Sequence, residues 1–249
     1  MDYKDYEKIS SDYFWHKARK NFINYLLSKH LNEPKQEQEK KEILEIGCGT
    51  GYQQEVIAKY GNYTGIDKNK QAIEENKKGK IINSNLEDFE TEKKYNVICL
   101  FDVLEHIEKD YQALQKINHL LDSDGYLFLS IPAKKILFGE HDLAMEHYRR
   151  YEKKEIETLL EKNNFNIIEI IYWNSFLFPL IALIRILKRA YQKNNLTEQR
   201  HKSDIRKMPK IINNLLFKIL NFENSLIKLG IKIPFGLSLY IVAQKKYEN

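Results

Sequence analysis

The chain of 249 residues reads as an α/β protein with a mostly parallel, doubly wound sheet. Three observations predict this. Short apolar runs alternate with amphipathic segments between residues 43 and 172, the rhythm of strand–helix–strand units. The first run, Ile43–Ile46, opens at once into Gly47, Gly49 and Gly51. Later runs end in Asp67 and in a polar cluster beginning at Asp102, at the strand ends beyond which open α/β sheets bind ligands.

The elements follow in order. Residues 11–31 carry Phe14, Trp15, Ala18, Phe22, Leu26, Leu27 and Leu31 at helical spacing, which predicts an N-terminal helix. Residues 32–42 are a charged linker. Strands are expected at 43–46, 63–66, 80–83, 95–100, 126–131 and 166–172, with helices at 52–59, 68–77, 110–121 and 153–162. Residues 122–125, Asp-Ser-Asp-Gly, read as a turn, and Pro132 stops the fifth strand. The rhythm then breaks. Residues 176–191 form an apolar helix with a basic end, and Pro209 stands where a second helix starts. Ile211, Ile212, Leu215, Leu216, Ile219 and Leu220 continue that helix, and residues 237–243 read as a final strand. A two-helix insertion before the last strand is the simplest account.

Apolar residues make up 43% of the chain, enough for a substantial core, and the net charge of +5 is too small to argue for nucleic acid. The polar N-terminus carries no secretory signal, and Cys48 and Cys99 read as free thiols in a reducing cytoplasm. Their spacing does not suggest zinc. The most apolar stretch, 170–187, is interrupted by Asn174, Ser175, Pro179 and Arg185, so it falls short of the roughly 20 clean apolar residues of a membrane span.

The glycine loop carries the most chemistry. Glycines there permit a tight turn at positive φ and let a ligand touch the backbone, while the following helix offers free N–H groups. The spacing is G-x-G-x-G, with Tyr52 where a nicotinamide-binding fingerprint places its last glycine. Glu45, two residues before the first glycine, would repel a pyrophosphate and suits a ligand bearing an ammonium group. Asp67 at the second strand end can accept hydrogen bonds from two ribose hydroxyls. The plain alternative for Asp67 is a surface turn.

Together, ILEIGCGTG, TGID, FDVLEHI and GYLFLSIP resemble the class I S-adenosylmethionine (SAM)-dependent methyltransferases over residues 40–172 and the closing strand at 237–244. The resemblance implies a Rossmann-like seven-stranded sheet whose last strand is antiparallel. It implies one methyltransferase domain over 1–249, with a core at 40–172, a helical insertion at 173–236 and a final strand at 237–244. It further implies SAM as cofactor, held by Glu45, Gly47, Cys48, Gly49, Gly51, Asp67, Lys68, Asn85, Leu86 and Phe101. Asn85 stands where many members carry Asp, and an amide can also hydrogen-bond adenine. The opening Tyr13–Arg19 resembles that of bacterial methyltransferases of envelope-sugar or lipid-carrier pathways and would cap the cofactor; a helix simply packed on the sheet is the alternative.

Two polar clusters sit at the same sheet edge. In the first, a helix beginning at Asp102 would set Asp102, Glu105 and His106 on one face. That face could serve the acceptor or hold a divalent metal, resembling the E-x-x-E-H pattern of some quinone-biosynthesis and small-RNA O-methyltransferases. Asp102 as a helix cap with Glu105 answering it is the structural alternative, and no metal is assigned. The second cluster, 140–151, holds His141 and His147, which with His106 are the expected catalytic bases because methyl transfer often requires loss of the nucleophile's proton. Arg149 and Arg150 could clamp an anionic acceptor, or Tyr148, Arg150 and Tyr151 could tie the loop to the sheet.

Residues 185–218 hold ten basic and two acidic residues, a local charge of +8, between apolar helices. This reads as an element for a lipid-linked acceptor or peripheral contact with an anionic membrane; two helices covering the sheet are the ordinary alternative. The expected activity is O-methylation of a small or lipid-linked acceptor. The other readings are a noncatalytic SAM-fold scaffold and an RNA methyltransferase. Intact glycines oppose the first. Against the second, no aromatic residues interleave with the basic ones, so a nucleic-acid partner is not expected.

Overall fold

The computed structural model describes residues 13–75, 80–194 and 208–246. Seven strands, β1 (Lys41–Ile46), β2 (Gly61–Asp67), β3 (Lys80–Asn83), β4 (Tyr95–Phe101), β5 (Leu121–Pro132), β6 (Phe165–Trp173) and β7 (Ser238–Lys245), form one sheet in the order β3-β2-β1-β4-β5-β7-β6. β1 to β5 pair in parallel, and β7 runs antiparallel to both β5 and β6. The strand order reverses between β1 and β4, so a crevice opens above their carboxyl ends. The glycine loop and the Asp102 cluster flank that crevice.

Both faces of the sheet are covered, which is why all of Ile43–Ile46 is buried and the run is apolar without alternation. On one face, α4 (Asp110–Leu120) and α6 (Lys153–Lys162) lay Leu114, Ile117, Ile156 and Leu160 against Leu44, Ile98 and Leu129. On the other, α1 (Phe14–His30), α2 (Gln54–Ile57) and α8 (Lys210–Lys228) lay Phe22, Ile57 and Leu220 against Ile43, Val97 and Val242. In α1 the buried Phe14, Ala18, Phe22 and Leu26 recur every fourth residue, and Lys29 and His30 end the helix where its dipole favours cations. Phe22 stacks on Trp173 and meets Tyr240 edge-on; full burial of such a side chain is worth roughly 1.5–3 kcal/mol.

Two helices, α7 (Phe178–Asn194) and α8, intervene between β6 and β7 as expected. α8 also fastens α1. Asn224 accepts a hydrogen bond from Trp173 Nε1 at 2.8 Å and donates to the Ala18 carbonyl at 2.9 Å. The buried Glu223 carboxylate accepts from the Ser175 and Phe176 amides ahead of α7, satisfying donors at its start. No described helix is long and apolar enough to cross a membrane. Both cysteines are buried free thiols.

Local differences from the sequence reading have local causes. The helix expected at 52–59 is one α turn followed by a 3-10 turn at Ala58–Tyr60, and it is entered through three-residue bonds from Gln54 and Val56 to the Gly51 and Gln53 carbonyls. The 68–77 helix is described only as α3 (Lys70–Glu75), started by Asn69, whose side chain accepts from Gln71 and Ala72. Residues 76 and 77 lie outside the described residues, as do 11 and 12 of the N-terminal helix. Asp122–Gly125 lies within β5 as an irregular excursion with Asp124 at φ 61°, where the register against β4 slips.

Candidate active site

The loop after β1 holds three alternate residues at positive φ: Gly47 at 71°, Gly49 at 51° and Gly51 at 75°. Gly47 is required twice over, since a Cβ there would stand 2.4 Å from Val103 Cγ2 in the turn after β4. A Cβ on Gly49 would meet nothing within 4 Å, so the loop faces open space there. The Gly47 and Cys48 amides donate to the Ile66 carbonyl at 2.8 and 3.1 Å, which binds the loop to β2. Asp67 completes the cradle. One carboxylate oxygen accepts from Gly49 N–H at 2.7 Å and the other from Asn69 N–H at 2.8 Å. Each oxygen keeps a further lone pair for a ribose hydroxyl.

Glu45 lies beneath the loop, 3% exposed, and accepts a hydrogen bond from Tyr63 at 2.5 Å. Burial pushes its carboxyl up to about 8, against the smaller opposing effects of Tyr63 and Arg19. Cys48 is buried beside Gly65, where a Cβ would come within 2.8 Å of its sulfur. Burial also raises the Cys48 thiol. Leu86 is buried and Lys68 exposed. Asn85 closes a loop on itself: its oxygen accepts from Asp88 N–H at 2.7 Å and its amide donates to the Asp88 carboxylate at 2.8 Å. Phe101 ends β4, with the Arg19 guanidinium 5.9 Å from its ring.

The cluster after β4 is not the helical face expected. Asp102 takes φ 58° and caps no helix; only a 3-10 turn follows at Leu104–His106. Its carboxylate meets Arg19 of α1 at 2.7 Å and accepts from the Ser130 hydroxyl at 3.0 Å, and it is not part of the grouping that Glu105 and His106 form. Arg19 also donates to Tyr240. Glu105 is fully buried, and neither carboxylate oxygen has a hydrogen-bond partner; burial raises its pKa strongly.

His147 replaces Asp102 in the grouping. Glu105, His106 and His147 each present one ligand atom within 4.8 Å of the others, and the two imidazoles meet edge to face at 4.6 Å. Burial and the neighbouring His147 hold His106 below the ordinary histidine range. His141, on α5 (Glu140–Ala144), is not part of that group. The arginines do not present themselves to an acceptor. Arg150 is buried against Asp142 and the Ala133 carbonyl, and Arg149 pairs with Asp110 at 2.8 Å and with the Glu108 carbonyl. Tyr151 bridges to Ala133 at the sheet edge, so Arg150 and Tyr151 tie the loop down.

Sequence reasoning passed over Arg19, Ser130 and Asp142. A basic residue in an N-terminal helix and a serine in an apolar strand carry no signal of a shared partner in the turn after β4. Asp142 stood inside a cluster read for its histidines.

The comparisons agree with this geometry. Residues 14–170, more than half of the chain, match the family described as Methyltransferase domain. The ubiquinone biosynthesis O-methyltransferase of Rickettsia typhi is 26% identical over 200 residues, covering 67% of this chain and 80% of that protein. The enzyme of the same name from Actinobacillus pleuropneumoniae is 33% identical over 105 residues, 36% of this chain and 45% of that one. Among solved structures, a SAM-dependent methyltransferase from Archaeoglobus fulgidus superposes with a TM-score of 0.55 at 15% identity, covering 91% of this chain and 94% of that one. Magnesium protoporphyrin IX methyltransferase of Synechocystis, solved with bound SAM, gives 0.53 at 14% identity, covering 93% and 80%. The fold and the glycine loop define a SAM-dependent methyltransferase. The chain belongs to the methyltransferase-domain family.

Proposed function

We propose that the protein methylates an oxygen of a small or lipid-linked acceptor, with His147 and His106 at the point of transfer. One observation carries this reading: the two imidazoles meet at the carboxyl edge of the sheet, His147 from the loop after β5 and His106 on a turn held against the donor loop. The His106 amide donates to the Val103 carbonyl, and it is Val103 that closes on Gly47. SAM supplies a sulfonium methyl group to whatever nucleophile lies in line with it. The protein's part is to seat the donor on Gly47, Gly49, Gly51 and Asp67, to hold the acceptor oxygen still, and to take its proton. A histidine held below its ordinary pKa is unprotonated at neutral pH and can do so. The O-methyltransferase names of the relatives support oxygen as the acceptor atom.

The test is methyl transfer from labelled SAM to lipid extracts and to phenolic acceptors with and without a prenyl tail. His106→Ala and His147→Gln should each lower transfer while SAM still binds. Full rates for both on the true acceptor would refute the base assignment.

A lipid-linked acceptor or anionic membrane is supported by the surface of the insertion. Leu180, Leu183 and Leu187 of α7 and Ile211, Leu215 and Phe222 of α8 are exposed, and Lys210, Lys218 and Lys228 lie exposed on α8. Arg200, Lys202, Arg206 and Lys207 of the basic segment lie outside the described residues, and the side chains of Lys188, Arg189 and Lys193 are likewise not described.

A second reading, metal assistance, has its own observation in the buried, unpartnered Glu105 carboxylate beside two imidazoles. Calorimetric titration with Mg²⁺, Mn²⁺ and Zn²⁺, repeated on Glu105→Gln, decides it. Stoichiometric binding lost in the variant would favour a metal; no binding by the native protein would exclude it.

A further inference from the structure

Asp142 is fully buried on α5, in the loop that follows β5. Four groups converge on its carboxylate. Oδ1 meets His147 Nδ1 at 3.0 Å and accepts from Arg150 Nε at 2.8 Å. Oδ2 accepts from Gly139 N–H at 3.0 Å and lies 3.6 Å from Arg185 Nη1, which belongs to α7. The His147 backbone N–H also donates to the Asp142 carbonyl at 2.9 Å, so both the backbone and the ring of His147 are referred to one residue. Burial by itself would raise the Asp142 pKa. The His147 bond, Arg150, Arg185 and the Gly139 amide together hold it down at about 2.

An ionised carboxylate can only accept hydrogen bonds. The proton between the pair therefore sits on His147 Nδ1, and in the neutral ring the lone pair is left on Nε2. His147 is only 10% exposed, and its ring stands against His106.

We propose that Asp142 is a positioning residue for the methyl transfer: it fixes the His147 ring and its Nδ1–H tautomer, so that Nε2 is the atom offered to the acceptor. As the acceptor oxygen bonds to the methyl carbon, the sulfonium S–C bond breaks with its electron pair left on sulfur as a neutral thioether, the acceptor's proton passes to Nε2, and the resulting imidazolium faces the Asp142 carboxylate. The inference rests on the proposed placement of His147 at the point of transfer and takes His147, with His106 beside it, as the group that receives the proton. Arg185 extends it, because the insertion helix contributes one of the two guanidinium groups beside Asp142.

The test combines a spectrum and a rate. In protein labelled with ¹⁵N-histidine, the neutral His147 ring should show the Nδ1–H tautomer. Asp142→Asn offers an amide N–H to Nδ1 and should turn the ring to the Nε2–H form. Its kcat should fall by about 100-fold or more, with the dissociation constant for SAM unchanged. Asp142→Asn combined with His147→Gln should be no slower than His147→Gln alone, as for residues acting as a unit. An Nε2–H tautomer in the native protein overturns the proposal without need of any variant. So does an Asp142→Asn enzyme with native kcat. If the tautomer is as proposed but His147→Gln keeps the native rate, it is the base reading that fails, and the spectrum distinguishes the two.

Discussion

Arg19, in the middle of the first helix, forms an ion pair of 2.7 Å with Asp102, the residue that follows β4. The guanidinium is buried and also bonds Ser130 and Tyr240, so four segments of the chain share one cation. Removing one partner of such a pair leaves an uncompensated charge. Arg19→Met should lower unfolding free energy by about 3 kcal/mol, and Arg19→Lys by less, since one ammonium serves Asp102 but not the whole fork. Urea unfolding measures both. Equal stability of Arg19→Met and the native protein would show that α1 is held by apolar contacts alone.

Gly47 and Gly49 separate steric from conformational demands. Gly47→Ala meets both a positive φ and Val103, whereas Gly49→Ala meets only the φ. Gly49→Ala should cost about 1–2 kcal/mol and Gly47→Ala more. Val103→Ala should recover part of the Gly47→Ala loss and none of the Gly49→Ala loss. Thermal melts of the four variants check this; absence of rescue would place the Gly47 defect elsewhere.

Asp67→Ala should weaken SAM binding by roughly 1.5–3 kcal/mol, the range for a hydrogen bond to a charged group. It also strips the Gly49 amide of its acceptor. Titration calorimetry reads the affinity. An unchanged dissociation constant would remove Asp67 from the ribose site.

Glu45 makes stability depend on pH in a defined direction. Its folded pKa, about 8, lies above the ordinary value of 4.5. The native state therefore holds a proton that the unfolded chain has released. That stabilisation is complete below about 4.5 and is lost as pH rises toward 8. Glu45→Gln should flatten the slope of stability between those limits. If Glu45 faces the ammonium of SAM, binding at neutral pH should release a proton. Calorimetry in buffers of different ionisation enthalpy detects it, and buffer-independent heat would contradict the contact.

The exposed apolar row of α7 and α8 should bind vesicles containing anionic lipid and not neutral ones, with binding weakened by salt. Leu183→Glu with Leu215→Glu should abolish cosedimentation while SAM still binds. Equal binding of this double variant would exclude the helices as the contact.

The sheet was legible because its signals are local. Ile43–Ile46 is an apolar run that only a doubly covered sheet can bury, and the glycine spacing follows directly from three positive φ angles. The antiparallel β7 came from family resemblance, since nothing within residues 237–244 states a direction. The two polar clusters were half legible. The chain order proposed Asp102 beside Glu105 and His106, because helical spacing puts them on one face. The left-handed backbone at Asp102 broke that face, its carboxylate pairs with Arg19, and His147 joins Glu105 and His106 from a different loop. Such partnerships depend on where two loops meet, which residue spacing does not encode.

β7 occupies the slot between β5 and β6 although it follows both in the chain. During synthesis, neither neighbour can complete its ladder until residues 238–245 have left the ribosome. The face against which α1 and α8 dock includes Tyr240 and Val242 of that same strand. Nascent chains arrested before residue 238 should therefore remain protease-sensitive and bind chaperones, and the methyl-donor crevice should become competent only once β7 is free to enter its slot.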